Sequence, residues 1–577
     1  MTARYRNVTK PPDPPPTLTV PGPRPVVWAP QARTLEVVLP RVAGVTPDDP
    51  DPAGDRTERR PLRLVGMDLP GWWSADDDLA PGTDYAYSVD GGRPLPDPRS
   101  PRQPYGLLGW SRSFDPTFEW TDDAWAGPSA QGAVLEVDVA TFTREGTLDA
   151  ATHRFEELAE LGVAVVELHT IGSVAGVVCP HLYTVCEEFG GPRALQRFVD
   201  AAHAHGLGVS LGVAYHRAAP GAAFLQAFGP YLAPQRSPLR PTLSAYPPAP
   251  PVADDVPSPP PAELPSGRRI NLDRAGSREV HGWIASSARR WFDDFHVDVL
   301  RIARVQDLAD ASPVHVLVEV ARAADAATLS HGRPVRLVGE CDTTDPRLLV
   351  PTEQGGRGLS QVWVREVEDA LHDLLAPSRA TDPTWFGSLS RLLTVPDAGR
   401  IVVGLSPRAT AGGSTGTATG RGTGTGTGAG AGADADADDD TRALAAALVL
   451  ASAFVPRLTL PVPERLHTWW RTLLALRRSV PPETPRIVHR GPSGVVLVQR
   501  GRLVTAVNIG SEPRTTLLPA SRRAWHVSAQ WPPLGEGPGT DDGPGADRTA
   551  GPAQAGAAPS GSSVRVGARS AVVLTSR

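Results

Sequence analysis

The chain has 577 residues, enough for several domains and a large apolar core. A formal net charge of -6 and a sequence pI of about 6.2 offer no positive field for nucleic acid or for an anionic membrane surface, so neither is expected as a partner. Cys179, Cys186 and Cys341 are too few and too irregularly spaced for a disulfide framework or a zinc site, and MTARYRNVTKPPDPPPT at the start lacks an apolar leader core; the expectation is a cytoplasmic protein with no cofactor and no metal.

Residues 1–24 are Pro-rich and are expected to be disordered. From 25 to 120, short β-like runs (VVWAP, LEVVLP, PLRLVGM, YAYSV) alternate apolar and polar residues between Gly, Pro and Asp breaks, which predicts an N-terminal β-sandwich. Its Trp28, Trp72, Trp73, Tyr85 and Tyr87 read as core, with a sugar-stacking role for one of them as the alternative. Over 130–480 strands alternate with helices. The strands are AVLEVDVATF, VAVVEL, LGVSLGVAY, VDVLRIARV and VRLVGECD; helices are expected near 148–161, before Gly206, at 278–294 and at 313–329. Repeated strand–helix units predict a parallel sheet with crossover helices, and their number suits a (β/α)8 barrel. Two segments interrupt it: a Pro-rich insertion at 246–266 and a low-complexity run at 409–441 that cannot bury a core. Helices at 441–454 and 464–479 follow. The tail, 485–577, returns to β character and predicts a small antiparallel C-terminal domain with a Gly/Pro-rich break at 533–562.

Several stretches carry a closer resemblance: PLPDPRSPRQP (94–104), FDPTFEWTDDAWAG (114–127), QGAVLEVDVATFTREGTLDAATHRFEELAELGVAVVEL (131–168), FGGPRALQRFVDAAHAHGLGV (189–209), FGPYL (228–232) and HGRPVRLVGECDTTDPRLL (331–349). Their collinear order resembles malto-oligosyltrehalose trehalohydrolase, an α-amylase superfamily glycosidase, over roughly residues 26–410. The resemblance implies a fold of sandwich, barrel and small β-domain, and an activity that cleaves an α-1,4 bond to release trehalose. That chemistry needs a nucleophile and an acid/base carboxyl about 5 Å apart, with a third acid beside the distorted sugar.

Carried over position by position, the resemblance places the acid/base at Glu340, on the strand VRLVGECD. Arg301, Tyr215 and Asp342 fall at substrate-facing positions. The fourth barrel strand, Val297-Asp-Val-Leu-Arg-Ile-Ala-Arg-Val305, keeps Arg301 but puts Ala303 where the family has its nucleophilic Asp. A methyl group cannot attack an anomeric carbon. Asp298 lies at an odd offset and should face the other way, while Asp307 falls in the following loop. The third-acid position reads Arg408, reversing the charge. The family's Asp-Val-Val-Tyr-Asn-His reads Gly212-Val-Ala-Tyr-His-Arg217, its Gly-Tyr-Asp platform reads Gly176-Val-Val-Cys-Pro180, and its Trp-Ala-Asp-Asp-Phe-His-His reads Trp363-Val-Arg-Glu-Val-Glu-Asp369. Glu340 then either remains a proton donor or pairs with Arg301. Losing a catalytic unit costs on the order of a million-fold in rate, or on the order of 8 kcal/mol, and a lone Glu340 does not replace it.

The expectation is therefore a trehalohydrolase-like protein of α-glucan and trehalose metabolism with hydrolysis lost. Its expected partners are α-glucan or malto-oligosyltrehalose, or another enzyme of trehalose or glycogen metabolism. Two rivals stay open: a divergent glycosidase that pairs Glu340 with an unrecognised carboxylate, and a protein-interaction module that docks through the Pro-rich and Gly-rich segments. His181, His203, His205 and His216 are scattered over loops and one helix, which argues against a metal.

Overall fold

The computed structural model describes residues 23–576 except 43, 48–54, 67, 130–131, 169–172, 175–176, 179–180, 219–220, 235–267, 383, 406–430, 460–463, 481–484, 489–493, 522 and 534–562. The Pro-rich start, the 246–266 insertion, Arg408 and most of the low-complexity run fall outside the described residues. Eight parallel strands close into a barrel: β1 Ala133–Val137, β2 Val163–Leu168, β3 Gly208–Val213, β4 Val299–Ile302, β5 Arg336–Cys341, β6 Gln361–Val364, β7 Ile401–Gly404 and β8 Val455–Thr459. Each pairs with its neighbours in sequence, and β8 closes onto β1. The fold is a (β/α)8 barrel with additional β-sheets at both ends of the chain.

The helices around the barrel follow their apolar spacing. In Ser277–Asp293, Val280, Trp283, Ile284, Ala288, Trp291 and Phe292 make one buried stripe, the i, i+3, i+4 pattern of a helix with a single buried face. Val316–His331 ends at Gly332, whose φ of 65° is left-handed and costs glycine nothing. The helix expected at 441–454 begins ten residues earlier and runs Ala431–Ala451. Turn-rich composition hid that start, since Ala–Asp alternation carries no apolar period.

Before the barrel stand two antiparallel sheets, one of Val26–Trp28, Trp72–Ser74 and Arg63–Leu64, the other ordered Thr57–Pro61, Leu35–Pro40, Asp84–Val89, Ser111–Arg112. Trp28, Trp72, Trp73, Tyr85 and Tyr87 are all buried, so none offers a face to a sugar. Trp72 Nε1 donates to Glu279 (3.0 Å) and Trp283 Nε1 to the Pro98 carbonyl (2.9 Å), tying this region to the helix Ser277–Asp293. After the barrel, Arg486–Val488, Val495–Arg500, Leu503–Asn508, Ser570–Ser576 and Trp525–Trp531 form an antiparallel sheet beside the pair Arg514–Leu517 and Ser563–Val566. Among the described residues no helix is long and apolar enough to cross a membrane.

Candidate active site

Inside the barrel, a layer of Val165, Val299, Val338, Val402 and Val455 packs nearest the strand starts. Two residues further along the same strands the character changes to charge. Arg301 on β4 lies opposite Gly212 on β3 in register. A Cβ at 212 would sit 2.6 Å from Arg301 Nη2, so the glycine leaves the space that the guanidinium fills. From there Arg301 donates through Nε to Glu167 Oε1 (3.0 Å) and through Nη1 to Glu340 Oε2 (2.6 Å). Glu167, on β2, also accepts from Arg457 Nε (3.1 Å) and Nη2 (2.9 Å). Arg457, on β8, closes the line at Glu136 Oε1 of β1, 2.8 Å away.

The result is a ladder, Glu340–Arg301–Glu167–Arg457–Glu136, crossing the barrel just below its mouth. Burial alone would push Glu167 up, but the guanidinium charges of Arg301 and Arg457 hold it below its ordinary value. Burial would equally favour a neutral Arg457, and Glu167 and Glu136 hold it charged. Trp363 on β6 lies beside Glu340 in register, with the guanidinium carbons of Arg457 and Arg301 at 4.1 and 5.6 Å from its ring centre. Under the ladder is a cavity of about 20 Å³, room for about one water.

Glu340 is the half-open end of the ladder. Its side chain is 15% exposed, and its other cation, Arg365 Nη2, is 3.5 Å away and itself mostly exposed. Accepting a short bond from a guanidinium is the role of an ionised carboxylate. Ala303 is the first residue past β4; its N–H donates to Val213 O (2.8 Å), and its half-buried methyl is all that the side chain offers the mouth. Asp307 lies in the loop beyond, bound by Arg304 Nε at 2.6 Å. Asp298 is at the opposite end of the barrel, fully buried, accepting from Trp125 Nε1 and Val209 N–H, both at 2.8 Å. Asp342 stands just outside β5, exposed, and accepts from Gln306 Nε2 (2.8 Å).

Tyr215 requires a correction. Expected to face substrate, it is 1% exposed, with its hydroxyl 3.2 Å from Ser287 Oγ on the helix Ser277–Asp293. The backbone leaves β3 at Val213, which turns the ring outward into the helix layer rather than into the mouth.

Four participants were missed from the sequence: Glu136, Glu167, Arg457 and Glu368. Glu167 and Arg457 had a readable signal, since each interrupts an otherwise apolar barrel strand (VAVVEL, VPRLT), where an inward charge must find a partner. Glu368, on the helix Arg365–Leu374, reaches the end of β7 and accepts from Trp363 Nε1 and the Gly404 N–H. Burial pushes its carboxyl up, against those two donors and the charge of Arg457. A side chain at Gly404 would meet that carboxyl, so the Glu368 side chain would have to shift to admit one. Among the described residues, no cluster of three or more His, Cys, Asp or Glu side chains is placed to hold a metal ion.

No protein-family model matches the chain. It is 36% identical over 357 residues to the malto-oligosyltrehalose trehalohydrolase of Rhizobium sp. (strain M-11), covering 60% of this chain and 53% of that protein. To the protein of the same name from Arthrobacter ramosus it is 36% identical over 382 residues, 64% of this chain and 58% of the relative. The matched region thus spans little more than half the length of these curated relatives. Among solved structures, a pullulanase from Anoxybacillus sp. LM18-11 complexed with maltotetraose superposes with a TM-score of 0.65 at 14% identity, over 97% of this chain and 87% of that one. At that identity the likeness is one of fold alone.

Proposed function

We infer that this chain, a divergent relative of the malto-oligosyltrehalose trehalohydrolases, binds α-glucan at the barrel mouth without cleaving it. One observation carries this reading: Glu340, which the resemblance puts at the acid/base position, is bound at 2.6 Å by Arg301, and the resemblance gives Ala303 the nucleophile's place. A retaining mechanism needs one carboxylic acid that still holds its proton and one free carboxylate. Glu340 is committed to a cation, and position 303 supplies no oxygen. Arg408 at the third-acid position adds a further mismatch in sequence. Trp363, partly buried between the ladder and Glu368, is the aromatic ring next to Glu340 and the candidate stacking partner for a sugar. The relatives' names supply the ligand class: a malto-oligosaccharide ending in a trehalose unit.

Calorimetric titration with malto-oligosyltrehalose, followed by chromatography of the recovered sugar, tests it. Saturable heat and intact sugar are expected. No heat at millimolar sugar would move the search to protein partners.

A second reading has one observation in its favour. Glu368 is a buried carboxyl whose environment favours the protonated form, in the same mouth as an ion-paired Glu340. A carboxyl favoured in its protonated form beside one bound to a cation is the pairing that an acid and its carboxylate partner require. If that pair works, Glu368→Gln and Glu340→Gln each abolish sugar cleavage; in the binding-only reading there is no cleavage to abolish.

A further inference from the structure

The base of the barrel carries a second buried charge cluster that the mouth does not use. Residues 114–128 lead from the last N-terminal strand toward β1 and lie across the strand starts. Three rings fix them: Phe114 stacks on Phe295 (6.4 Å between centres), Trp120 on His296 (3.8 Å) and Trp125 on His203 (4.9 Å). Between the two tryptophans, Asp122 reaches inward. Its Oδ2 is 2.8 Å from His203 Nδ1 and 2.8 Å from His296 Nδ1. The other face of His203 is also met by a carboxylate: Nε2 lies 3.0 Å from Asp298 Oδ2.

The side chains of His203, Asp122 and Asp298 are 1%, 4% and 0% exposed. A carboxylate only accepts, so a ring with a carboxylate at each nitrogen satisfies both bonds only when both nitrogens carry protons. A neutral imidazole turns one of these contacts into two acceptors facing each other, buried from water, at the cost of a lost charge-assisted bond. We propose that residues 114–128 are a latch, closed over the barrel base while His203 is an imidazolium and released when it loses its proton.

The surrounding charges agree. Asp298 also takes Arg333 Nη1 (2.5 Å), and Arg333 Nη2 is 3.9 Å from Asp122, so two carboxylates face two cations. His296 brings a second ring to Asp122, Arg336 lies within the field of Asp298, and His331 is held outside the cluster by Asp293 at 3.1 Å. Burial alone would lower His203, yet the hydrogen bonds to Asp122 and Asp298 hold it above its ordinary value. The sign follows. A histidine raised in the folded state contributes stability that is complete below its unfolded value and is lost as pH rises through the folded one. The latch therefore opens on the alkaline side.

Hydrogen exchange of the 114–128 peptide in the full chain, corrected for intrinsic pH dependence, is the test, alongside nitrogen NMR of histidine-labelled protein with His203 assigned by His203→Gln. The proposal expects both His203 nitrogens protonated near neutral pH and a loss of protection that tracks its titration. Asp122→Asn should lower both midpoints together by roughly one pH unit or more, the scale of removing one adjacent carboxylate. If Asp122→Asn does not fold, the wild-type nitrogen spectrum still decides. A singly protonated His203 at neutral pH, or protection that ignores its titration, overturns the latch; mere packing would change the level of protection without moving a midpoint.

Discussion

The two ends of the barrel hold buried carboxylates in different ways. At the base, Asp298 is fully buried and accepts from an indole, a backbone N–H, an imidazole and a guanidinium. At the mouth, Glu340 has one short donor and an edge open to solvent. With its acceptor positions taken, Asp298 leaves nothing for a ligand. The mouth keeps an exposed carboxylate edge and an aromatic ring, but its charge is already matched.

The largest expected effect is at the base. Asp298→Ala strands Arg333 and His203 without their shared carboxylate and should cost about 3–5 kcal/mol in denaturant unfolding, the range for breaking a buried ion pair. Glu167→Ala, the mid-rung of the ladder, leaves Arg301 and Arg457 facing each other and should cost about 3 kcal/mol. If it costs much less, the ladder is not what holds the mouth together. Gly404→Ala pushes a methyl into the Glu368 carboxyl and should lose about 1–3 kcal/mol as overpacking, read from thermal unfolding. The smallest effect belongs to Glu340→Gln, roughly 1 kcal/mol or less, because Arg301 keeps Glu167 and the amide oxygen still accepts.

Glu368 gives the comparison a pH axis. Its folded value is raised above 4.5 by burial, so the folded state binds more protons than the unfolded one above that range. Stability from this group is present below the ordinary carboxylate value and lost as pH rises through the folded value. Glu368→Gln should flatten that decline in unfolding curves collected across mildly acidic pH. An unchanged slope would place the titration elsewhere.

The barrel strands were legible because strand–helix alternation survives in the apolar pattern; Glu340 falls inside one of these strands and Ala303 directly after another. The ladder was not legible as a whole. Glu167 and Arg457 stand 290 residues apart, and local periodicity carries no sign of a pair that only barrel closure brings together. Tyr215 misled because β3 ends two residues before it, and side-chain direction cannot be extended past the end of a strand. Glu368 is concealed differently, since it sits on an amphipathic helix where charge is ordinary, and its role comes from Trp363 and Gly404 on neighbouring strands.

The central claim, a mouth that binds glucan but leaves it intact, is tested most directly by prolonged incubation of concentrated protein with malto-oligosyltrehalose and quantification of free trehalose, wild type beside Glu340→Gln. No trehalose above the protein-free control from either sample is the predicted result. Trehalose released by the wild type and abolished in Glu340→Gln would contradict it, and would mean that Glu340 leaves Arg301 to do chemistry when sugar is bound.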